Sequence, residues 1–376
     1  MNFDYNEEQR LLAESVKRFV TQDYAFERRR EIVTSPEGWS AKAWGTMADL
    51  GLLGLSISPD HEGFGGGAVD LMSTMEAIGD ALVVEPYLAT VLGARLIARA
   101  GSDAQKQSLL PPVVEGKLKL AFAQTEAGAR YDLAHVALAA RKSGNGYVLE
   151  GEKCVVLHAP CADKLMVSAR TSGAVSDRDG LSVFIVDASS PGIAMKPYRT
   201  LDEMRAADVT FTAVPVPADA LLGKEGGAWP TIEEGVDFAT ALVCAEAVGA
   251  IRFANDTTLE YLKTRRQFGV PIGSFQALQH RLVDMVISYE QARSMASLAC
   301  ARVDSEKDPA ERRRIVSAAK VRIADACRHV SQESVQLHGG MGMSEELKVS
   351  HTFRRLTMIA QQFGDADHHL ERFAAP

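Results

Sequence analysis

The chain has 376 residues, of which 46% are hydrophobic, and its 41 Lys and Arg against 49 Asp and Glu give a net charge of −8. This length predicts two or three domains with a core large enough to need neither disulfides nor a structural metal. The mild acidic balance argues against a nucleic-acid partner or an anionic membrane surface, because binding phosphates requires concentrated Lys and Arg.

The amino terminus lacks the basic and apolar regions of a secretory signal, and no apolar run reaches the roughly 18–20 residues that span a bilayer. We therefore expect a cytoplasmic protein with no membrane partner. The five cysteines form no Cys-x-x-Cys pair and have no His at ligand spacing. This pattern favours reduced thiols over a disulfide framework, and it predicts no metal site.

Residues 1–118 are predicted to form a helical N-terminal domain. A first helix is expected to begin at Asn6, which stands three positions before Gln9 as in a capping box. Pro111 and Pro112, followed by a glycine, are expected to end this helical part of the chain. Between these limits, apolar residues recur at helical spacing over 41–50, 69–82 and 87–99.

Residues 63–68 have the Gly-x-Gly-x-x-Ala spacing of a dinucleotide-binding loop, and Glu85 lies about 20 residues further on. The preceding stretch, 54–58, is strand-like. A dinucleotide-binding fold would need further parallel strands alternating with helices, whereas residues 69–110 predict mainly helices. We therefore favour a glycine loop that lets two helices pack closely.

The middle and the end of the chain predict different structures. Residues 119–225 contain short β-branched runs separated by glycine turns, which predict a middle antiparallel β domain, at 147–149, 154–157, 164–169, 181–186 and 208–211. Residues 226–376 contain few Pro and Gly and predict a C-terminal helical bundle, with amphipathic stretches over 229–264, 275–305, 310–337 and 344–361. The fold class is therefore α+β.

Three segments carry residue types that suit a nucleotide-like ligand. Residues 122–129 place a hydroxyl and an acid among small residues, which let a flat ligand approach the backbone, although a strand-to-turn transition explains them equally. Residues 264–276 combine two arginines with Gly and Pro, which suits a pyrophosphate or a helix C-terminus. Residues 336–342 interrupt two helices with three glycines, which suits a ribose or adenine, or a plain turn between helices.

In this order and at these separations, the segments resemble the acyl-CoA dehydrogenase flavoprotein family over essentially the whole chain. The resemblance is carried by Arg-x-x-Phe-Gly-x-Pro-Ile at 265–272, Phe-Gln-Ala-Leu-Gln-His at 275–280 and Gln-Leu-His-Gly-Gly at 336–340. It implies the family's α+β fold of helical, β and helical domains. It also implies FAD as the cofactor, bound between the β domain and the C-terminal helices.

The same resemblance implies roles for individual residues. Thr125 takes the position of the family's flavin-contacting hydroxyl, and Phe122 lies in the same segment. The pyrophosphate-side and adenosine-side contacts, which the family donates to the flavin of a neighbouring subunit, fall on Arg265, Phe268, Gln276, Gln336, Gly339 and Gly340. Oligomerisation, with a copy of itself or with a second acyl-CoA dehydrogenase-type chain, is therefore implied.

The implied reaction is α,β-desaturation of an acyl-CoA thioester. A carboxylate removes the α-proton while the β-hydrogen leaves as hydride to the flavin. A buried carboxylate suits the base because desolvation raises its basicity. An electron-transfer flavoprotein or a similar acceptor is then expected to collect the electrons.

The sequence departs from the family pattern around the flavin and the base. Tyr131 replaces a usual Ser, and residues 155–157 replace a usual Trp-Ile-Thr. The two positions where the family carries its base fall on Gly364 and Ala239. Asp365, Glu246 or no base at all remain as alternatives.

Residues 363–372 and 153–164 resemble the small subunit of pimeloyl-CoA dehydrogenase and its relatives, which pair with a larger dehydrogenase-type chain. We therefore expect one chain of a heteromer. Two other functions remain open on this scaffold. One is a non-catalytic partner that completes the FAD site of a cognate chain, and the other is a flavin oxidase or monooxygenase.

Overall fold

The computed structural model describes residues 7–375 and divides them into two compact units. Unit 1 comprises residues 7–31, 67–83 and 237–375, and unit 2 comprises residues 32–66 and 84–236. The predicted Asn6 cap lies outside the described residues. No helix within the described range is long and apolar enough to cross a membrane.

The first part of the chain is helical, as its periodicity predicts. Its helices are α1 (Glu7–Gln22), α2 (Phe26–Thr34), α3 (Ala41–Asp49), α4 (Ala68–Ala81), α5 (Tyr87–Ala100) and α6 (Asp103–Val114). Pro111 and Pro112 lie inside α6 instead of ending it. Their carbonyl oxygens still accept backbone hydrogen bonds from Glu115 and Lys117, so the helix continues to Val114.

The glycine segment at 63–68 does not belong to a dinucleotide-binding fold. The stretch before it is a 3-10 helix over Leu52–Gly54 followed by turns, and it forms no strand. Gly67 is the N-cap of α4, where its N–H donates to the Asp70 carboxylate at 2.8 Å. The segment is a helix-entry loop, because the parallel strands that a dinucleotide site needs do not flank it.

The middle of the chain forms a sheet in unit 2. Its strands are β1 (Leu120–Ala123), β2 (Ala139–Ser143), β3 (Gly146–Leu157), β4 (Lys164–Arg170), β5 (Leu181–Asp187), β6 (Ile193–Arg199), β7 (Arg205–Pro217) and β8 (Leu221–Leu222). Most neighbours pair antiparallel in the order β6-β7-β3-β2-β4-β5-β8, while β1 and β2 each pair parallel with β4. The core on this sheet includes Phe184, Phe211 and Leu149.

The two predicted runs at 147–149 and 154–157 are one strand, β3. Its pairing with β7 shifts register between Leu149 and Gly151 and again between Lys153 and Val156. At the first shift the extra residue is on β7, so the alternation of β3 continues; at the second shift it is on β3. The continuous strand reads as two because its middle residues, 150–153, include no apolar side chain.

The last part of the chain contains α7 (Trp229–Thr264), β9 (Arg266–Gln267), β10 (Val270–Pro271), α8 (Gln276–Val303), α9 (Pro309–His338), α10 (Lys348–Gln361) and α11 (Ala366–Ala374). In unit 1, α4 and α7 approach backbone to backbone. A Cβ atom built on Gly79 would lie 1.9 Å from the carbonyl oxygen of Glu246. Only glycine permits this crossing.

The α+β fold with helical, β and helical parts is confirmed, and the predicted limits at 118/119 and 225/226 fall between elements.

Candidate functional site

The segment that follows β1 presents one polar side chain on a fixed backbone. Phe122 is half-buried in β1 opposite Met166 of β4, and Thr125 is exposed just beyond the end of the strand. Its neighbours Gln124 and Glu126 are buried. The backbone that carries the exposed Thr125 hydroxyl is therefore fixed by a buried side chain on each side.

A buried ammonium group lies beneath this segment. The Nζ atom of Lys153, on β3, donates to Glu126 Oε1 at 2.8 Å, Ser168 Oγ at 2.9 Å and the Gln124 carbonyl oxygen at 3.2 Å. Burial lowers the pKa of Lys153 to about 8, against the opposing attraction of the Glu126 carboxylate. This cluster is absent from the sequence-based predictions.

Val155, one of the positions that depart from the family pattern, has a strained backbone. It has φ +51°, which is unfavourable for a β-branched residue, and its side chain is 47% exposed. Asp208 Oδ1 accepts from the Val155 N–H at 3.2 Å and from the Tyr198 hydroxyl at 2.9 Å. Burial, and then the Asp208 hydrogen bond, raise the pKa of Tyr198 to about 12. The carboxylate thus fixes an unfavourable turn at this position.

In unit 1, the arginine segment forms a small hairpin after α7. Strands β9 and β10 pair across a turn at Phe268 and Gly269, both with positive φ. The Phe268 side chain is 90% exposed, and its ring packs edge to face with that of Phe275 at 6.2 Å. Arg265 and Gln276 flank the hairpin and are also exposed.

The glycine segment follows the end of α9. Gln336 is exposed, and a Cβ atom built on Gly339 or Gly340 would meet nothing within 4 Å, so the backbone there is open to an approaching group. The rings of Tyr261 and His338 stack with centroids 4.4 Å apart, which joins the end of α7 to the end of α9. The stack brings the arginine and glycine segments to the same end of unit 1.

These two segments fit the nucleotide part of FAD. Exposed Arg265 offers guanidinium donors for a pyrophosphate, and the bare backbone at 339–340 leaves room for a ribose or adenine. Neither feature serves the packing of unit 1. Exposed donors beside an open glycine backbone are typical of a surface that binds a nucleotide.

Gly364, where the resemblance places the family's base, has no room for a side chain. Gly364 has φ +123°, and a Cβ atom built on it would lie 2.5 Å from His368 Cδ2 and 2.7 Å from His369 Nε2. A glutamate cannot occupy this position unless both rings move. Lys320, buried beside it, donates to the Gly364 carbonyl oxygen at 2.7 Å and further fixes the backbone.

Asp365 is the N-cap of α11. Its Oδ1 accepts from the His368 N–H at 2.9 Å, and the side chain is half-buried. The carboxylate therefore serves to cap the helix. Its assignment as the base remains a prediction.

Glu246 is engaged in a buried ion pair. Its two carboxylate oxygens accept from Arg355 Nε at 2.6 Å and Nη2 at 2.7 Å, and Arg355 Nη2 also donates to Gln362 Oε1 at 3.3 Å. Both side chains are at most 5% exposed. Both carboxylate oxygens are therefore occupied by the guanidinium group.

His369 forms the floor of the closed position. Its Nε2 lies 3.1 Å from the Phe363 carbonyl oxygen and must carry the proton, because a carbonyl only accepts. Its Nδ1 lies 3.3 Å from Ser317 Oγ. Burial and the nearby Lys320 lower the pKa of His369 to about 2, so the ring is neutral.

The family comparisons cover almost the whole chain. Residues 6–117 match the acyl-CoA dehydrogenase N-terminal domain, residues 121–214 the middle domain and residues 226–375 the C-terminal domain. Cyclohex-1-ene-1-carbonyl-CoA dehydrogenase of Syntrophus aciditrophicus is 30% identical over 95% of this chain and 87% of that protein.

Two solved structures share the whole fold. The FAD complex of PigA has a TM-score of 0.91 at 26% identity, covering 100% of this chain and 98% of that chain. The ChsE4-ChsE5 complex from Mycobacterium tuberculosis has a TM-score of 0.90 at 27% identity, covering 100% of both chains. The chain therefore belongs to the acyl-CoA dehydrogenase family, and it is an FAD-dependent oxidoreductase that acts on CH–CH groups.

Proposed function

We propose that this chain catalyses the α,β-desaturation of an acyl-CoA as one member of a heteromer with a second acyl-CoA dehydrogenase-type chain. The observation that carries this proposal is the closed position at Gly364, where the rings of His368 and His369 leave no space for a side chain. Glu246 is held by Arg355, and Asp365 caps a helix. These three facts support a chain that relies on its partner for the α-proton step.

The proposed contribution of this chain is to hold FAD, which supplies the hydride acceptor when bound. Arg265 donates to the pyrophosphate, and Phe268 and Gln276 line the same side. Gln336, Gly339 and Gly340 receive the adenosine part across the subunit interface. In unit 2, the Thr125 hydroxyl and Phe122 face the isoalloxazine ring.

Exposed apolar side chains on unit 1 support a partner chain. Val283 and Ile287, one turn apart on α8, are 54% and 49% exposed, and Met343 is 68% exposed. These side chains, and that of Phe268, leave apolar area in water that an interface with another chain would bury. The ChsE4-ChsE5 complex supports a second chain of this family as the occupant, and an electron-transfer flavoprotein or similar acceptor is proposed for the electrons.

The test is to express the chain alone and together with candidate acyl-CoA dehydrogenase-type chains of the same genome. Mass measurement and flavin counting are then applied to each product. We expect a heteromer that binds FAD tightly and turns over acyl-CoA. A chain that binds one FAD per subunit and turns over acyl-CoA by itself would contradict the heteromer.

A second function is favoured by the same closed position at Gly364: a non-catalytic partner that completes the FAD site of the cognate chain. A variant that removes a flavin contact of this chain alone separates the catalytic member from the non-catalytic partner. If Thr125→Ala in this chain leaves flavin content and turnover of the heteromer unchanged, this chain only donates contacts. If both fall, this chain also holds a working flavin.

A further inference from the structure

We infer that Lys153 is a positioning residue for the flavin: its buried ammonium holds the backbone on both sides of Thr125 and so fixes how the Thr125 hydroxyl is presented. This inference rests on the proposed role of Thr125 in contacting the flavin. Lys153 itself is completely buried, so it acts through the segment and not on the cofactor.

All three N–H groups of the Lys153 ammonium can donate hydrogen bonds to neighbouring atoms. Its three N–H donors match three acceptors, namely Glu126 Oε1, Ser168 Oγ and the Gln124 carbonyl oxygen. Two of these acceptors belong to the residues on either side of Thr125. The next residue after Lys153 adds a backbone link, because the Cys154 N–H donates to the Thr125 carbonyl oxygen at 2.8 Å.

Glu126 extends this control to a longer loop. Its Oε1 also accepts from the Leu138 N–H at 3.1 Å, and its Oε2 accepts from the Ala137 N–H at 2.7 Å. Both ends of the loop over 127–136 are therefore tied to one carboxylate, which Lys153 neutralises. The loop contains Tyr131, one of the substituted flavin-side positions.

An ammonium at this place is costly, which argues that it does more than fill space. A buried charge loses hydration that an apolar side chain of the same length would never need. The groups that face it are the Glu126 carboxylate after β1, Arg170 on β4 and Cys154 on its own strand. Burial and Arg170 oppose the charge, while Glu126 and Cys154 favour it.

The geometry also makes the segment sensitive to pH. Burial lowers the pKa of Lys153 to about 8. Deprotonation removes the charge that pairs with the Glu126 carboxylate, and the neutral amine keeps only two N–H donors, so the Ser168 hydroxyl must turn to donate to the amine or its contact is lost. The affinity for FAD should therefore fall as the pH rises through about 8.

The main experiment compares Lys153→Met with wild type, using the assembly that binds FAD. Met has a similar length without donors. We expect the FAD dissociation constant to rise at least tenfold, the visible circular dichroism of the bound flavin to change, and the pH dependence above 8 to disappear. The matched control is Lys142→Met. Lys142 lies on the adjacent strand β2, and its replacement removes only an exposed ion pair with Glu225. All three readouts should stay unchanged in this variant.

Ser168→Ala keeps the proposal testable if Lys153→Met fails to fold. This variant keeps the ammonium but removes one acceptor, so the charged form becomes less favourable. The midpoint of the FAD affinity profile should move to lower pH, which a purely structural role would not cause. An unmoved midpoint would overturn the inference.

Two results separate the positioning role of Lys153 from the proposed function. Wild-type affinity, flavin spectrum and pH profile retained in a folded Lys153→Met would overturn the positioning role alone. Absence of FAD binding by the wild-type assembly would overturn the proposed function together with the inference.

Discussion

The buried pair of Glu246 and Arg355 gives the sharpest stability prediction. Replacing Arg355 by Met removes two hydrogen bonds of 2.6 and 2.7 Å and leaves a carboxylate that is 2% exposed without its cation. Removing one partner of a buried pair typically costs about 3–5 kcal/mol, because the remaining charge is neither hydrated nor paired. We expect Arg355→Met to lower the free energy of unfolding by this amount.

The assay is guanidinium chloride unfolding of wild type, Arg355→Met and a double variant that also carries Glu246→Met. The double variant should recover most of the loss, since an apolar pair of similar volume is often as stable as a buried ion pair. Lys263→Met, which removes an exposed pair with Glu260 on the same helix α7, is the control and should cost about 0–1 kcal/mol. A loss below about 1 kcal/mol in Arg355→Met would refute the reasoning and reopen Glu246 as a base.

Three further predictions address the flavin, the base and acid stability. Arg265→Ala removes a charge-assisted phosphate contact worth about 1.5–3 kcal/mol, so FAD occupancy at limiting FAD should fall roughly tenfold; unchanged occupancy would contradict the pyrophosphate role. Asp365→Asn should leave the rate of flavin reduction by acyl-CoA nearly unchanged, whereas a slowing of about 10²-fold would identify Asp365 as the base. His369 takes up a proton near pH 6.5 when unfolded but only near pH 2 when folded, so its contribution to the free energy of unfolding falls by about 1.4 kcal/mol for each pH unit below 6.5. Urea unfolding at pH 7 and pH 5 should show a smaller loss in His369→Gln than in wild type, and equal losses would contradict a neutral buried ring.

Long regular elements could be predicted from the sequence because their pattern is local. The 3.6-residue periodicity of 229–264 gives α7 to the residue, and the runs at 164–169 and 181–186 give β4 and β5 within one residue. Strand β6 was missed because it is only partly buried and contains a proline, so it carries no clear alternation. The continuity of β3 was missed because its middle residues, 150–153, include no apolar side chain.

The candidate site was predicted less completely than the fold. The exposed segments around Arg265 and Gly339 have unusual local composition, which a single sequence reveals. The pair of Glu246 and Arg355 joins residues 109 positions apart, and no local pattern connects them. The burial of Lys153 could have been predicted from one feature: it stands an even number of residues after Tyr147 and Leu149, whose side chains are buried in β3. Because lysine is so rarely buried, the alternation was not taken to predict a buried side chain at this position.

The closure at Gly364 depends on three-dimensional detail. The sequence indicates that glycine replaces the family's acid, but only the structure reveals that two histidine rings occupy the space. The neighbouring Asp365 reads as a substitute base in the sequence because it is one position away. Its hydrogen bond to the His368 N–H makes it a helix cap, which depends on where α11 begins.

The central claim is that this chain does not carry out α-proton removal by itself. Its most direct test is anaerobic single-turnover reduction of bound FAD by an acyl-CoA, followed by absorbance, for the chain reconstituted with excess FAD alone and for its heteromer. The account predicts flavin bleaching in the heteromer and at least about 10²-fold slower bleaching in the chain alone, the usual size of a lost general base. Equal rates in the two samples would contradict it.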